Sequence, residues 1–178
     1  MLITVSGPPG SGTTTAATAV AEVLGLELVP GGEVFRAMAV EHAMSLREFG
    51  AYAAAEPAVD IELDRRLADR ARSGHAVVES RLAGWIARNE GFDAVRVWID
   101  CDDSVRAERV AAREAKTVDQ ALAENAEREK VERDRYLALY GIDIEDLSIY
   151  DLTLDSGRHP ASALATEIVT LARTRFPM

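Results

Sequence analysis

Five short apolar runs, partly β-branched, recur along the chain at Leu2–Val5, Leu26–Val29, Ala76–Glu79, Val95–Ile99 and Asp151–Leu154. Each is nearly continuous, as expected for strands covered on both faces. Stretches of helical length separate them: AATAVAEVL behind a glycine-rich loop, Glu33–Ala43, Ser45–Ala55, Asp60–Ser73, Ser104–Glu114, Thr117–Tyr140 and Pro160–Arg175. Two carry start signals. Ser45-Leu-Arg-Glu48 and Thr117-Val-Asp-Gln120 fit the capping box, in which a hydroxyl and a residue three places on satisfy orphan backbone donors.

Strand alternating with helix predicts an α/β fold, a parallel sheet wrapped by helices whose ligands sit beyond the carboxyl ends of the strands. The 178 residues show no internal repeat, low-complexity tract or linker, so one domain spanning 1–178 is expected. Two helical but charge-rich intervals, about 32–60 and about 113–136, are candidates for moving flaps.

Composition narrows the partners. The formal net charge is −10, which argues against a nucleic-acid surface. Of 20 basic residues only Lys116 and Lys130 are lysines, so nearly every cation is an arginine, whose planar fork of donors suits phosphate. Cys101 is the single cysteine and is expected to be a small buried residue near a strand end. The start MLITV carries no basic stretch and no long apolar run, so a soluble cytoplasmic protein without a membrane span is expected. None of His42, His75 and His159 sits in a motif that suggests catalysis.

The stretch GPPGSGTTT, Gly7, Pro8, Pro9, Gly10, Ser11, Gly12, Thr13, Thr14 and Thr15, has the frame G-x-x-x-x-G-K-[ST] of a phosphate-binding loop. It follows an apolar strand and opens a helix, the context that gives the motif meaning. Its glycines let successive N–H groups turn inward, and the helix adds its positive end. Thr14 falls at the hydroxyl position that ligates Mg²⁺. Thr13 stands where a lysine would reach the β- and γ-phosphates, so a cation must come from elsewhere. Arg109, Arg113, Arg128, Arg133 and Arg135 flank or occupy the second flap and are the expected source.

Other arginines also follow strands. Arg36 lies in the first turn of a helix behind Gly31-Gly32, within reach of a second phosphate. The third strand ends in Glu79-Ser80-Arg81, with Glu79 placed to hold a water of the Mg²⁺ shell and Arg81 to bind substrate. Arg128, Glu132 and Arg135 are spaced by four and three, along one helical face. An ion-pair ladder on a solvated surface would give the same spacing.

GPPGSGTTT, GGEVFR, DIELDRR, ESRLAGW, WIDCDDSVRAERVAARE, NAEREKVERDRY and YGIDIEDLSIYDL together resemble, in order and from end to end, the nucleoside monophosphate kinases, and among them the archaeal-type cytidylate kinases. The resemblance implies a P-loop kinase with strand order 2-3-1-4-5, a nucleotide-acceptor flap and a lid. It also implies transfer of the ATP γ-phosphoryl group to CMP or dCMP with Mg²⁺; a monomer is expected. Carried over by position, Gly7–Thr15 would bind the ATP phosphates, and Arg36 and Arg81 the acceptor. Arg128, Glu132 and Arg135 match lid residues at the phosphoryl group and cytosine edge, and Arg109 and Arg113 would flank the adenine or β-phosphate. Thr13 for lysine, and Glu79-Ser80 for Asp-Gly, depart from the bacterial pattern. Two readings compete with this one: a kinase for UMP, AMP or a small non-nucleotide acceptor, and a non-catalytic nucleotide sensor in which Thr13 marks lost transfer.

Overall fold

The computed structural model describes residues 1–177. Five parallel strands form one sheet in the order β2-β3-β1-β4-β5: β1 Leu2–Ser6, β2 Glu27–Pro30, β3 Ala76–Glu79, β4 Val95–Asp100 and β5 Leu152–Asp155. This is the order that the resemblance implies. Side chains alternate across the sheet. Ile3, Val5, Val77, Val97 and Ile99 pack against α1 (Thr13–Leu24) and α8 (Ala161–Arg175). Leu2, Ala76 and Val78 pack against α4 (Pro57–Ala71) and α5 (Ala83–Asn89). Cover on both faces explains why β1, β3 and β4 as far as Ile99 read as nearly unbroken apolar runs, while the edge strands β2 and β5 each carry an exposed residue.

The remaining helices are α2 (Gly31–Glu41), α3 (Leu46–Ala55), α6 (Asp103–Glu114) and α7 (Val118–Tyr140). Both capping boxes form, Ser45 with Glu48 and Thr117 with Gln120. Cys101 is buried just past the end of β4. Helix α4 starts at Pro57 instead of Asp60, because proline is suited to a first helical position whose N–H has no acceptor.

One local expectation is corrected, and one helix lies outside the pattern. Gly31 and Gly32 lie inside α2, not in a turn before it, and neither has a positive φ. Gly31 is glycine for clearance, since a Cβ there would stand 2.9 Å from Ser80 Cβ. Helix α5 carried no periodic signal, being only seven residues long. It forms where the chain must leave β3 tightly: Gly84 lies against the Tyr150 ring, with 2.4 Å between a notional Cβ and Cε1, and its N–H donates to Ser6 Oγ.

Three small cores lie outside the sheet layers. Met38, Phe49, Ala53 and Val59 join α2, α3 and the start of α4, and full burial of one Phe is worth about 1.5–3 kcal/mol. Ala107, Val110, Ala111 and Ala121 join α6 to the start of α7. Trp98, Tyr136, Ile142, Ile144 and Ile149 pin the end of α7 and the segment after it to the face carrying α5. The start and the end of α7 are therefore fixed by different cores, and its middle crosses the carboxyl edge of the sheet.

Candidate active site

The loop between β1 and α1 is shaped by clearance and by left-handed backbone. A Cβ on Gly7 would stand 2.3 Å from Ile99 O, and Gly10 and Gly12 have φ of 82° and 85°. Helix α1 begins with no side-chain cap and no acidic residue in its first turn. Its first N–H groups have no intrahelical acceptor, which suits an anion. The loop's carbonyls are held from outside by three arginines. Arg81 Nη1 donates to Gly7 O, Arg106 Nη1 to Pro9 O at 3.1 Å and Arg109 Nη1 to Gly10 O at 3.4 Å. Ser11 N–H turns back to Pro8 O at 3.1 Å and Pro8 and Pro9 have no N–H, so the donors left for a ligand are at most those of Gly7, Gly10, Gly12 and the first turn of α1.

Position 13 is built into the end of β3. Thr13 Oγ1 donates to Glu79 Oε1 at 2.7 Å, and Glu79 lies between Val5 of β1 and Pro30 of β2 in the sheet register. Burial raises the Glu79 carboxyl above the usual range, against the opposing effect of bonds from Thr13 and Thr14 and the charge of Arg81. Thr14 is exposed at the second position of α1. Hydroxyl and carboxylate oxygens are hard donors of the kind Mg²⁺ takes, and Thr14 and Glu79 meet here, so the residues fit that ion.

Arg128, Glu132 and Arg135 share one face of α7, as the spacing predicted. Glu132 is 6% exposed and accepts from Arg81 Nε on Oε2 at 2.6 Å and from Arg128 Nε on Oε1 at 2.7 Å. Burial alone would raise its pKa, but the two guanidiniums hold it below the usual carboxylate range. One turn on, Arg135 Nε lies 3.2 Å from Asp60 Oδ2 of α4. Arg128, Glu132 and Arg135 line a cleft of 550 Å³ with Arg113, Pro9 of the loop and Gly50 of α3. The face is mixed: Arg128 and Glu132 form an i,i+4 ion pair with Arg128 60% exposed by side chain, while Glu132 is buried and Arg135 turns inward to Asp60. The opposite face of α7 borders a second cavity, of 750 Å³, with Arg81, Arg106 and Trp98. Helix α7 is the wall between the two.

Arg36 is exposed on α2 and has no carboxylate partner among the described residues. Arg109 donates to Ser156 Oγ at 3.0 Å and Ser156 O at 2.8 Å, at the loop after β5. Arg113 pairs with its neighbour Glu114 at 2.7 Å. The arginines therefore divide between the two ends of the loop, Arg81 toward β3 and Arg109 toward β5.

Sequence reasoning missed three residues. Arg106 is 3% exposed and donates to Cys101 O, Pro9 O, Asp103 and Glu129. Asp60 and Asp64 lie one turn apart on α4, and Asp64 Oδ2 accepts from Tyr140 Oη at 2.7 Å. All three were legible as charges on an apolar stripe: Arg106 with Ala107, Val110 and Ala111, and the two aspartates with Leu67, Ala68 and Ala71.

Burial pushes the Asp64 carboxyl up to about 6, against the Tyr140 bond and Arg135 and with the help of Asp60. A raised folded-state pKa means that the native protein holds the proton more tightly. Its contribution is therefore present below about pH 4 and lost as pH rises through about 6. Asp64→Asn keeps an acceptor for Tyr140 and does not ionise. Its stability relative to the parent is expected to rise between pH 4 and 7 by up to about 3 kcal/mol, read from denaturant unfolding. A difference that stays flat with pH would refute this.

The loop, the cleft and the sheet order coincide with a match across most of the chain. A model of the "Cytidylate kinase-like family" covers residues 2–158. The chain belongs to this family. Cytidylate kinase of Pyrococcus horikoshii is 50% identical over 158 residues, 89% of this chain and 81% of that protein. Cytidylate kinases of Halorubrum lacusprofundi, at 50% over 159 residues (89% and 82%), and of Methanococcus vannielii, at 43% over 165 (92% and 95%), are also similar. Two solved structures share the fold. A gluconokinase from Sinorhizobium meliloti has a TM-score of 0.62 at 18% identity over 97% of this chain and 92% of that one. Shikimate kinase from Acinetobacter baumannii has a TM-score of 0.60 at 16% identity over 99% and 95%. Threonine at position 13 thus stands within the part of the chain, residues 2–158, that the family model matches.

Proposed function

We propose that the protein transfers the γ-phosphoryl group of ATP to CMP or dCMP, giving ADP and CDP or dCDP, as a soluble monomer in the cytoplasm. It is an enzyme of the nucleoside monophosphate kinase class. The observation that carries the reading is the cleft of Arg113, Arg128, Glu132 and Arg135 facing the phosphate loop, in a chain half identical to cytidylate kinases.

The ATP phosphates lie on the loop Gly7–Thr15, with Arg109 and Arg113 flanking the adenine or the β-phosphate. The acceptor phosphate sits between the arginines at the ends of β2 and β3, Arg36 and Arg81. Arg128, Glu132 and Arg135 close over both substrates from the lid, 113–136, while the flap, 32–60, closes from the other side. Thr14 would hold Mg²⁺ directly and Glu79 through water, and the ion would neutralise charge on the β- and γ-phosphates. An acceptor phosphate oxygen attacks the γ-phosphorus in line, and the bond from that phosphorus to the β–γ bridging oxygen breaks, its electron pair leaving with ADP. The acceptor oxygen is already ionised near neutral pH, so no side chain has to remove a proton. Closure excludes water, so ATP is not hydrolysed in place of transfer.

A steady-state survey of CMP, dCMP, UMP, AMP and GMP with Mg-ATP tests the assignment. Cytidine nucleotides are expected to lead in kcat/KM by about 10²-fold, and equal use of UMP or AMP would overturn it. In the same assay Arg36→Ala is expected to raise the KM for CMP by about tenfold or more, with the KM for ATP within about twofold. The reverse pattern would mean that donor and acceptor are interchanged.

A further inference from the structure

The loop has a hydroxyl where its kind carries a cation, and a phosphoryl-transfer site without that charge would be slow. We infer that Arg81 supplies the charge that position 13 lacks, reaching the transferring phosphoryl group as well as the acceptor, with Glu132 holding it in place. This rests on the kinase reading above.

Position 13 and Arg81 converge on one residue. The Thr13 methyl group, Cγ2, lies 2.9 Å from where a Cβ on Gly7 would stand, and Arg81 Nη1 donates to Gly7 O. The Thr13 hydroxyl is bound to Glu79, two residues before Arg81, so a side chain at position 13 points toward the end of β3, the side from which Arg81 reaches the loop. Arg81 is 17% exposed by side chain, shielded enough for its charge to act at short range yet open to a ligand.

The other arginines near the loop are committed elsewhere. Arg106 is 4% exposed by side chain, too deeply buried for a ligand to reach, where Arg81 is 17% exposed, and Arg135 is paired with Asp60 of α4. Arg109 is tied to Ser156 at the β5 end of the loop, away from Glu79. Arg113 and Arg128 have side chains 64% and 60% exposed and act from the outer lid. Among the described residues Arg81 is the arginine on the β3 side of the loop, and the acid that holds it is on the lid. Two of its nitrogens, Nε and Nη2, lie 2.6 Å from Glu132 Oε2, while Nη1 reaches the loop. A planar fork can span lid and loop in this way, where an ammonium could not.

The test measures ATP and ADP affinity by calorimetry with Mg²⁺ and no acceptor. A charge at the transferring group favours ATP, whereas an arginine that touches only the acceptor changes neither nucleotide. Arg81→Ala is expected to lower the ratio of ATP to ADP affinity by about tenfold or more, and adding Thr13→Lys is expected to restore it. Turnover at saturating CMP should follow, falling by about 10²-fold in Arg81→Ala and recovering in the double variant relative to Thr13→Lys alone. Where Arg81→Ala loses the fold, Arg81→Ala with Glu132→Gln removes both halves of the pair and reads the same ratio. An unchanged ratio overturns the inference. So does a ratio that falls but is not restored by Thr13→Lys, because the charge then acts somewhere other than the place of the missing lysine. As no acceptor is present, a wrong acceptor in the proposed function leaves this readout intact.

Discussion

Thr14→Ala is expected to lower turnover by about 10²-fold or more while ATP affinity stays within about threefold. The hydroxyl is exposed at the second position of α1, beside Glu79, in a loop whose geometry does not depend on it. That geometry comes from Gly7 against Ile99, from the left-handed Gly10 and Gly12, and from the Ser156 hydroxyl, which donates to Ser11 O at 2.6 Å. In the proposed function nucleotide binding would rest on the loop's N–H groups, which the substitution leaves alone. Charge that develops during transfer depends on the Mg²⁺ that this hydroxyl would hold, so the loss appears in kcat. Thr14→Ser keeps the oxygen and is expected to recover most of the rate. Steady-state kinetics with a coupled ADP assay would decide the matter: turnover of Thr14→Ala within about twofold of the parent removes Thr14 from the metal site.

Local pattern carried the layers of the fold a long way. Five continuous apolar runs predicted five strands buried on both faces, and all five are in the sheet. The strand order came from resemblance, because nothing within a strand records its neighbours. Helix α5 was not legible: seven residues make less than two turns beyond their caps, and they are held by contact of Gly84 with Tyr150 and Ser6, both distant in the chain. In the candidate site the spacing of Arg128, Glu132 and Arg135 gave a common face but not its direction. The inward direction of Glu132 and Arg135 follows from the pinning of α7's end by Trp98, Ile142, Ile144 and Ile149. Thr13 was visible as an anomaly from the motif alone. Its consequence was not, since the contact with Glu79 crosses 66 positions and the convergence with Arg81 at Gly7 crosses 74. The sequence reading looked for the missing charge in the second flap, where arginines are dense; side-chain reach favours one at the end of β3.

Arg106→Ala is expected to be the most destabilising single change at the site, by about 3 kcal/mol, and to raise the KM for ATP as well. A buried arginine is costly unless each of its donors is satisfied, and here they are. Nε reaches Cys101 O at 3.1 Å, Nη1 reaches Pro9 O at 3.1 Å and also Glu129, and Nη2 reaches Asp103 at 2.6 Å. The acids left behind would not carry the loss: Asp103 is 78% exposed and Glu129 34%, so water takes them up. The loss falls on two carbonyls deprived of a charged donor and on a hole beside Ala107 and Val110. One of those carbonyls belongs to the phosphate loop, and Glu129 belongs to the middle of α7, where neither of the helix's end cores reaches. Stability and nucleotide binding should therefore fall together. Arg106→Lys keeps the charge, but one ammonium cannot reach four acceptors spread over the loop, the end of β4, α6 and α7, so less than half of the stability is expected to return. Urea unfolding and ATP kinetics on the two variants test this. Full recovery by lysine would show that charge alone matters at this position, and an alanine variant as stable as the parent would show that the loop and lid need no strut between them.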